Sequence, residues 1–535
     1  MRHGAAWRTP LLSSGEAVNV LGAAAPRLPG RRETQLAALL TVGAPLGVLA
    51  LLVVTGVSGG SRALGVLLAL VAVMAVVRWP GAGLGVMLAY VPLQLILLPL
   101  LFHLGLPAGL VRALGGVKEI VTLGVLVAGV RAFRRSGRRL DLLDWLEIGF
   151  VVLVSIYLVA PALVPGSFAD LPWNVRLLAW RADALWLVLF FGARHLVIAA
   201  DTRLRLARLV FVLAAVVGVG AVVEFSDPSA WNSFLVDVIH VPTYKAVILN
   251  VYVPNPTDVL YHGQIGGLDF IRVGSVLQSP LTLGFYLYPA LAIGLHYMAD
   301  RRLRWGTSVA TALAGAAVVM TLTRSALLGA VVLSLVSVRV GIARLSPGRV
   351  RLVLVLVATA VIAAPLGGST ILGQRTVATF SGQQDANTHL QSAQAGFQAL
   401  LDDPLGRGLG TAPGIGDRFQ VQGKLTSEDA YLQVGDELGV AAMVIFMAFL
   451  GVTLSRLRRT GDGSSDGLPA PAMFAAGVGL AVGGLFLHVW LDYSTALTFA
   501  ALAGVSISVA SGTCDGRGPD PELPVHRPQR RVAPA

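Results

Sequence analysis

The sequence predicts an all-α, polytopic transmembrane helical bundle, and three observations carry that prediction. The chain is 55% hydrophobic and only 13% charged, with a mean hydropathy of +0.73; a soluble globular chain carries about 25% charged residues. Apolar runs of about 20 residues, the length a helix needs to cross a bilayer, recur along nearly the whole length. Basic residues fall in alternate connections, as the positive-inside rule asks of a multi-pass chain. The net charge of +12 therefore reads as membrane topology and not as a nucleic-acid footprint. The single cysteine, Cys514, excludes a disulfide framework and a thiol metal site.

The elements follow in order. Residues 1–35 read as a basic cytoplasmic segment without a cleavable signal peptide. Residues 36–511 form the membrane domain, with fourteen candidate helices (about 12–14 spans, since some runs are short or Gly-rich). These are 36–56, 63–77, 83–104, 113–130, 146–163, 182–198, 208–224, 281–299, 306–323, 326–340, 352–366, 438–455, 470–490 and 493–511. R-A-F-R-R-S-G-R-R (131–139) and the other Arg-rich connections place both termini in the cytoplasm of a multi-pass protein of the cytoplasmic (inner) membrane.

Two long connections, 225–280 and 367–437, then fall on the outer face, and long connections are usually functional. The first is rich in Tyr, Pro and Asn (V-Y-V-P-N-P-T-D). The second holds an amphipathic stretch, 387–401, with Leu390, Ala393, Phe397 and Leu401 on one stripe. It suits a helix lying on the membrane, or equally one covering the bundle. Residues 512–535, rich in Pro, Gly and Arg, read as a disordered cytoplasmic tail.

Four cations stand out against this apolar background. Arg324 sits in V-M-T-L-T-R-S-A-L-L-G-A, Arg272 in D-F-I-R-V-G-S, and Arg176 and Arg181 in W-N-V-R-L-L-A-W-R-A-D. Each alone reads as a snorkelling or ion-paired residue. Several guanidinium groups at one mouth of a bundle suit a diphosphate, because their forks bind phosphate oxygens bidentately. D-P-L-G-R-G-L-G-T (403–411), which carries Arg407, is either a simple turn or a source of backbone N–H groups for an anion. His240, His262 and His389 have no metal-ligand spacing with nearby acids, so no metal and no cofactor is expected. A base would come from Glu or Asp. K-L-T-S-E-D-A-Y-L-Q-V-G-D-E-L-G-V (424–440) gathers Glu428, Asp429, Asp436 and Glu437 just before an apolar run.

The ordered set of motifs over about residues 170–510 resembles the O-antigen ligase and O-antigen, capsule or exopolysaccharide polymerase-like membrane proteins. R-V-G-S-V-L-Q-S-P-L-T-L-G (Arg272–Gly284) is similar to that family's Arg-x-Gly lead into a span. L-T-R-S-A-L-L-G (Leu322–Gly329) is similar to its Thr/Ser-Arg turn, and the large outer loop with D-P-L-G-R-G-L-G to its third feature. S-E-D-A-Y-L-Q-V-G-D-E-L-G-V (Ser427–Val440) is similar to its His-Asn-x-Tyr-Leu re-entry into the membrane, and brings Tyr431 into the candidate set.

The resemblance implies a lipid-sugar-dependent (GT-C-like) glycosyltransferase fold. It implies metal-independent, inverting transfer from an undecaprenyl-diphosphate-linked glycan donor to a glycan, lipid or protein acceptor. The lipid bilayer is the other partner, and nucleic acid is not one. The family's two donor-gripping arginines correspond to Arg272 and Arg324. Glu428 and Asp429 stand where the ligase branch has His and Asn, which tilts the expectation towards a polymerase. Glu428 or Asp429 would be the base, and Asp436 and Glu437 would cap the next helix. Arg176, Arg181, Arg407 and Tyr431 are additional candidates. A flippase for lipid-linked oligosaccharide and a non-catalytic cell-wall assembly scaffold are the alternatives.

Overall fold

A computed structural model describes residues 60–160, 171–251, 253–265, 268–299, 305–341, 383–412, 415–416, 419, 427–460 and 468–513. The basic segment 1–35, the expected spans 36–56 and 352–366, and the tail beyond Thr513 lie outside the described residues. Numbered over the described residues, the first helices are α1 (Gly60–Arg78), α2 (Pro80–His103), α3 (Ala108–Gly115), α4 (Val117–Ser136), α5 (Leu142–Val159) and α6 (Trp173–His195). Then come α7 (Ala200–Ser226), α8 (Pro228–Ser233), α9 (Val241–Val247), α10 (Pro280–Tyr286), α11 (Tyr288–Ala299), α12 (Trp305–Met320) and α13 (Arg324–Gly341). The last are α14 (Gln383–Asp402), α15 (Ala430–Arg459), α16 (Ala470–Gly484) and α17 (Tyr493–Thr513).

The protein is an all-α membrane protein. Among the described residues, six stretches are long and apolar enough to cross a bilayer: Pro80–His103, Ala108–Ser136, Leu142–Val159, Ala200–Ser226, Pro280–Met298 and Ala430–Arg459. α12, α16 and parts of α1 and α17 are apolar but shorter. Among the described residues, the strands form one antiparallel hairpin, β1 (Tyr261–Ile265) and β2 (Leu268–Arg272), with Tyr261 opposite Arg272. Residues 225–280, expected as a long outer-face connection, hold among their described residues two short helices, a π-helical turn, this hairpin and a 3-10 turn at Ser275–Leu277.

The bundle closes through small residues, as membrane helices do where lipid offers no hydrophobic drive to pack. α4 meets α6 where Gly129 lies against the backbone of Gly192. α13 meets α16 the same way: a Cβ on Gly329 would stand 2.7 Å from the Gly479 carbonyl. An aromatic cluster fills the centre. Trp186 of α6 stacks on Trp490 at 5.5 Å, with Phe446 and Phe449 of α15 and Phe499 of α17 around them.

A buried charge network fastens one end of the bundle. Arg194 pairs with Asp144 and, at 2.9 Å, with Glu147, while His195 meets Asp144 at 2.9 Å. Arg456 of α15 reaches Asp141, the N-cap of α5, at 2.7 Å. Buried ions persist only when paired in this way.

The amphipathic stretch is helical, as expected, within α14. Its Leu400 is buried and Gly396 abuts Ser427 and Asp436, so one face covers the bundle. Leu390, Phe397 and Leu401 remain exposed on the other face.

Candidate functional site

The candidate site forms where four separated stretches of chain meet: β2, the α12–α13 turn, residues 427–429, and the 485–492 segment between α16 and α17. Arg272, at the end of β2, is held from several sides. Its Nη2 donates to Thr323 Oγ1 at 2.7 Å and its Nε to the Thr321 carbonyl at 3.4 Å. Its guanidinium lies 5.4 Å from the centre of the Tyr261 ring, an arrangement that cross-strand pairing produces directly.

Behind it, Glu224 of α7 accepts from Gly274 N at 3.1 Å and Ser275 N at 2.5 Å, and Ser275 Oγ donates to the Val217 carbonyl. The segment after Arg272 is thereby pinned to α7. Burial is the main influence pressing the Arg272 guanidinium below its ordinary value; Tyr261 opposes this, Arg324 adds to it and Glu428 opposes it. Thr323, which accepts from Arg272, immediately precedes Arg324, so the two arginines belong to one corner of the fold.

Arg324 is the first residue of α13, and Leu327 N donates to the Thr323 carbonyl as that helix begins. The turn before it is strained: Leu322 has φ 50°, and Ser275 and Gln278 after Arg272 have φ 53° and 52°. A bulky residue in the left-handed region costs energy and tends to persist at functional sites. Both arginines thus sit beside strained backbone, and one of them stands at the positive end of an 18-residue helix.

Glu428 is exposed and acts electrostatically on both Arg272 and His488. Asp429 is placed differently. Its Oδ1 accepts from Tyr431 N at 2.8 Å and Leu432 N at 3.0 Å, so Asp429 is the N-cap of α15. Burial raises its carboxyl above the usual aspartate value. The capping role expected of Asp436 and Glu437 belongs to Asp429. These two acids instead lie buried inside α15, just before a break at Gly439.

Glu437 Oε1 accepts from Gly410 N at 3.0 Å and Ala412 N at 2.7 Å. The Gly-rich stretch 403–411 is therefore a turn docked on α15: its Gly410 N–H serves the Glu437 carboxylate, and its Arg407 and Gly408 N–H groups serve the carbonyls of Asp436 and Glu437.

Three further candidates are committed to structural contacts. Arg176 donates to the carbonyls of Leu158 and Leu171, at 2.9 and 3.1 Å. Arg181 pairs with Glu119. Arg407 pairs with Asp403 at 2.8 Å. The hydroxyl of Tyr431 donates to the Ala481 carbonyl at 2.7 Å, tying α15 to α16.

The structure adds residues that sequence reading missed. α16 ends at Gly484, so the span expected to run to residue 490 is interrupted, and His488 and Asp492 leave the helix. The paired Gly483-Gly484 is the local signal, since such residues commonly end helices. His488 lies below the ordinary imidazole value because it is buried, while Asp492 and Glu428 pull the other way. Burial holds Asp492 above its ordinary value. Its Oδ1 accepts from Thr282 Oγ1 at 3.0 Å and its Oδ2 from Thr495 N at 2.8 Å.

His488 and Asp492 line a cavity of about 270 Å³, together with Asp183, Glu437, Gln433 and Phe285. No cluster of three or more metal-ligating side chains occurs among the described residues. No protein-family model matches the chain, and no curated protein matches it.

Proposed function

We propose that this chain is a membrane glycosyltransferase acting on an undecaprenyl-diphosphate-linked glycan donor at the outer face of the cytoplasmic membrane, in a lipid-sugar-dependent helical architecture. The observation that carries the reading is the placement of the two arginines: Arg272 Nη2 donates to Thr323 Oγ1 at 2.7 Å, and Thr323 immediately precedes Arg324. Two arginines from distant parts of the chain are thereby brought to one corner of the fold, beside strained turns, and Arg272 is held there by Thr323. A dianionic diphosphate accepts forked hydrogen bonds from both. It would also face the N-terminus of α13, where negative charge is favoured.

The chemistry that follows is displacement at the donor's anomeric carbon with inversion. An acceptor hydroxyl attacks as its proton passes to a base, and the diphosphate departs with the bonding electrons. The arginines stabilise the charge that grows on it. Glu428 is the exposed acid of the sequence motif. A polymerase that joins repeat to repeat is favoured over a ligase, because the position where the resembling ligases carry His is Glu428.

The test is the length distribution of undecaprenyl-linked glycans in a strain lacking the protein. Single repeats accumulating on the lipid mark a polymerase, and long chains stranded on the lipid mark a ligase. A pool unchanged in amount and length overturns the proposal.

A flippase is the second reading, favoured by one observation: Asp183 and Glu437 are buried carboxyls inside the helical bundle, as in proton-coupled carriers. It requires the lipid-linked pool to stall on the cytoplasmic leaflet instead.

A further inference from the structure

We propose that α14 lies in the head-group boundary of the bilayer, at the end of the spans where α5 finishes, with Leu390, Phe397, Leu401 and the following Leu405 against the acyl chains. The partner is the apolar edge of a lipid leaflet. The inference goes beyond the glycosyltransferase reading and does not depend on it.

The first argument is the division of the helix surface. Residues advance about 100° each round an α-helix. Gly396 and Leu400 are buried and belong to the face that covers the bundle. Leu390, Phe397 and Leu401 share one stripe about a quarter-turn round from it, and are 59%, 55% and 59% exposed. Gln391, Gln394, Gln398 and Asp402 are also exposed and lie opposite the bundle, where Gln398 Nε2 donates to Asp402 Oδ1 at 2.9 Å. An ordinary surface helix needs one face on the protein and one in water. This one has three, in the order protein, apolar and polar. A helix at the rim of a bundle meets its surroundings in that order when it lies on a membrane.

The second argument is depth. The Leu405 carbonyl accepts from the Tyr157 hydroxyl, and Tyr157 stands two residues before the end of α5. The Pro404 carbonyl accepts from Val440 N at 2.9 Å, and Val440 is the first residue after the break at Gly439 in α15. Both Leu142–Val159 and Ala430–Arg459 are long and apolar enough to cross a bilayer. The turn that follows α14 is thus bonded to two spans near their ends, at the level where they reach the membrane boundary.

The third argument is continuity. α5 exposes Val152, Ile156 and Val159, and α15 exposes Val440, Val444 and Met447, each set spaced as one helical stripe. Such stripes are what spans present to lipid. Leu405, itself 55% exposed, is bonded to α5 between Ile156 and Val159, and its neighbour Pro404 is bonded to Val440. The apolar stripe of α14 therefore ends where two lipid-facing stripes begin.

The chemistry of the contact follows from the composition of α14. Gln383–Asp402 holds no Lys or Arg, and its acids are Asp385 and Asp402. Apolar burial seats the helix, and attraction to anionic lipid does not. A seated α14 also holds at membrane level the turn it leads into, whose Arg407 and Gly408 N–H groups bond α15.

The experiment uses the full chain carrying Cys514→Ser, which removes the single native cysteine. Leu390→Cys, Phe397→Cys and Leu401→Cys test the apolar stripe; Gln391→Cys, Gln398→Cys and Asp402→Cys test the polar one. Val444→Cys is the reference within a span. Each bears a nitroxide, and all seven side chains are exposed, so labelling removes no buried contact. In phosphatidylcholine nanodiscs, collision with oxygen, which concentrates in lipid, is compared with collision with a neutral nickel chelate, which stays in water. The oxygen-to-nickel ratio at 390, 397 and 401 should exceed that at 391, 398 and 402 by at least about tenfold, and approach that at 444. Added phosphatidylglycerol should leave the contrast unchanged.

Equal ratios at the two sets would put the stripe in water. A stripe shielded from both reagents would mean that protein covers it, either a second copy or another stretch of this chain. Either result overturns the proposal, and a contrast that needs phosphatidylglycerol overturns the apolar seating. Each set has three positions, so one variant that fails to fold leaves the comparison intact.

Discussion

Gly439→Ala tests how the docked turn shapes the site. Gly439 has φ 84° and ψ 169°, a region that only glycine occupies without strain, and forcing a residue there costs about 1–3 kcal/mol. The added Cβ would also stand 2.7 Å from the Pro404 carbonyl and 2.8 Å from the Leu405 carbonyl carbon. Both are backbone atoms, so no side-chain rotation relieves the overlap and the 404–408 turn must move away. That turn is held to α15 by Arg407 N on the Asp436 carbonyl at 2.7 Å, Gly408 N on the Glu437 carbonyl at 2.9 Å, and Val440 N on the Pro404 carbonyl at 2.9 Å. Losing two of these bonds costs about 0.5–1.5 kcal/mol each, which brings the whole effect to about 2–6 kcal/mol. The Glu437 contacts to Gly410 and Ala412 would loosen with the turn, and the cavity wall with them.

The assay is a thermal melt of the detergent-solubilised chain by tryptophan fluorescence, with glycan transfer measured alongside. Gly451→Ala is the control. A Cβ there meets nothing within 4 Å, so its melting temperature should hold or rise slightly. A Gly439→Ala protein that melts with the wild type and keeps full activity would refute the reasoning.

Arg194→Met leaves Asp144 and Glu147 buried beside a vanished cation and should destabilise by about 3–5 kcal/mol, read as a fall in melting temperature. Arg272→Lys keeps a positive charge but not the fork that reaches Thr323 and the Thr321 carbonyl. Transfer should drop at least tenfold with a raised KM for donor, while the amount of protein in the membrane is unchanged. Burial raises Asp429 and Asp492 above their ordinary value. Their contribution to stability is therefore fully present below about pH 3.9 and is lost as pH rises through the folded-state values. Asp429→Asn and Asp492→Asn should flatten that acid-side decline in melts taken between about pH 4 and pH 8; unchanged curves would exclude these two groups as its source.

The sequence by itself determined the class of molecule and most of its helices. Apolar run length decides whether a segment can cross a bilayer, and that quantity is local, so helices such as α2, α7 and α15 could be read directly. It also singled out Arg324, flanked by apolar runs, and Arg272, just before one, because an arginine there is conspicuous whatever surrounds it.

Tertiary structure decided what each polar group faces. Arg176, Arg181 and Arg407 look like Arg272 in sequence; the packed chain turns them to the Leu158 and Leu171 carbonyls, to Glu119 and to Asp403, and turns Arg272 to the threonines that precede Arg324. Glu428 and Asp429 are neighbours, but only Asp429 aims its oxygen at the first amides of α15. His488 reads in sequence as part of the span 470–490, but the end of α16 at Gly484 brings it, with Asp492, to the cavity wall. Helix formation follows from residues three and four apart. A site follows from which distant residues share one space, and only the packed bundle fixes that.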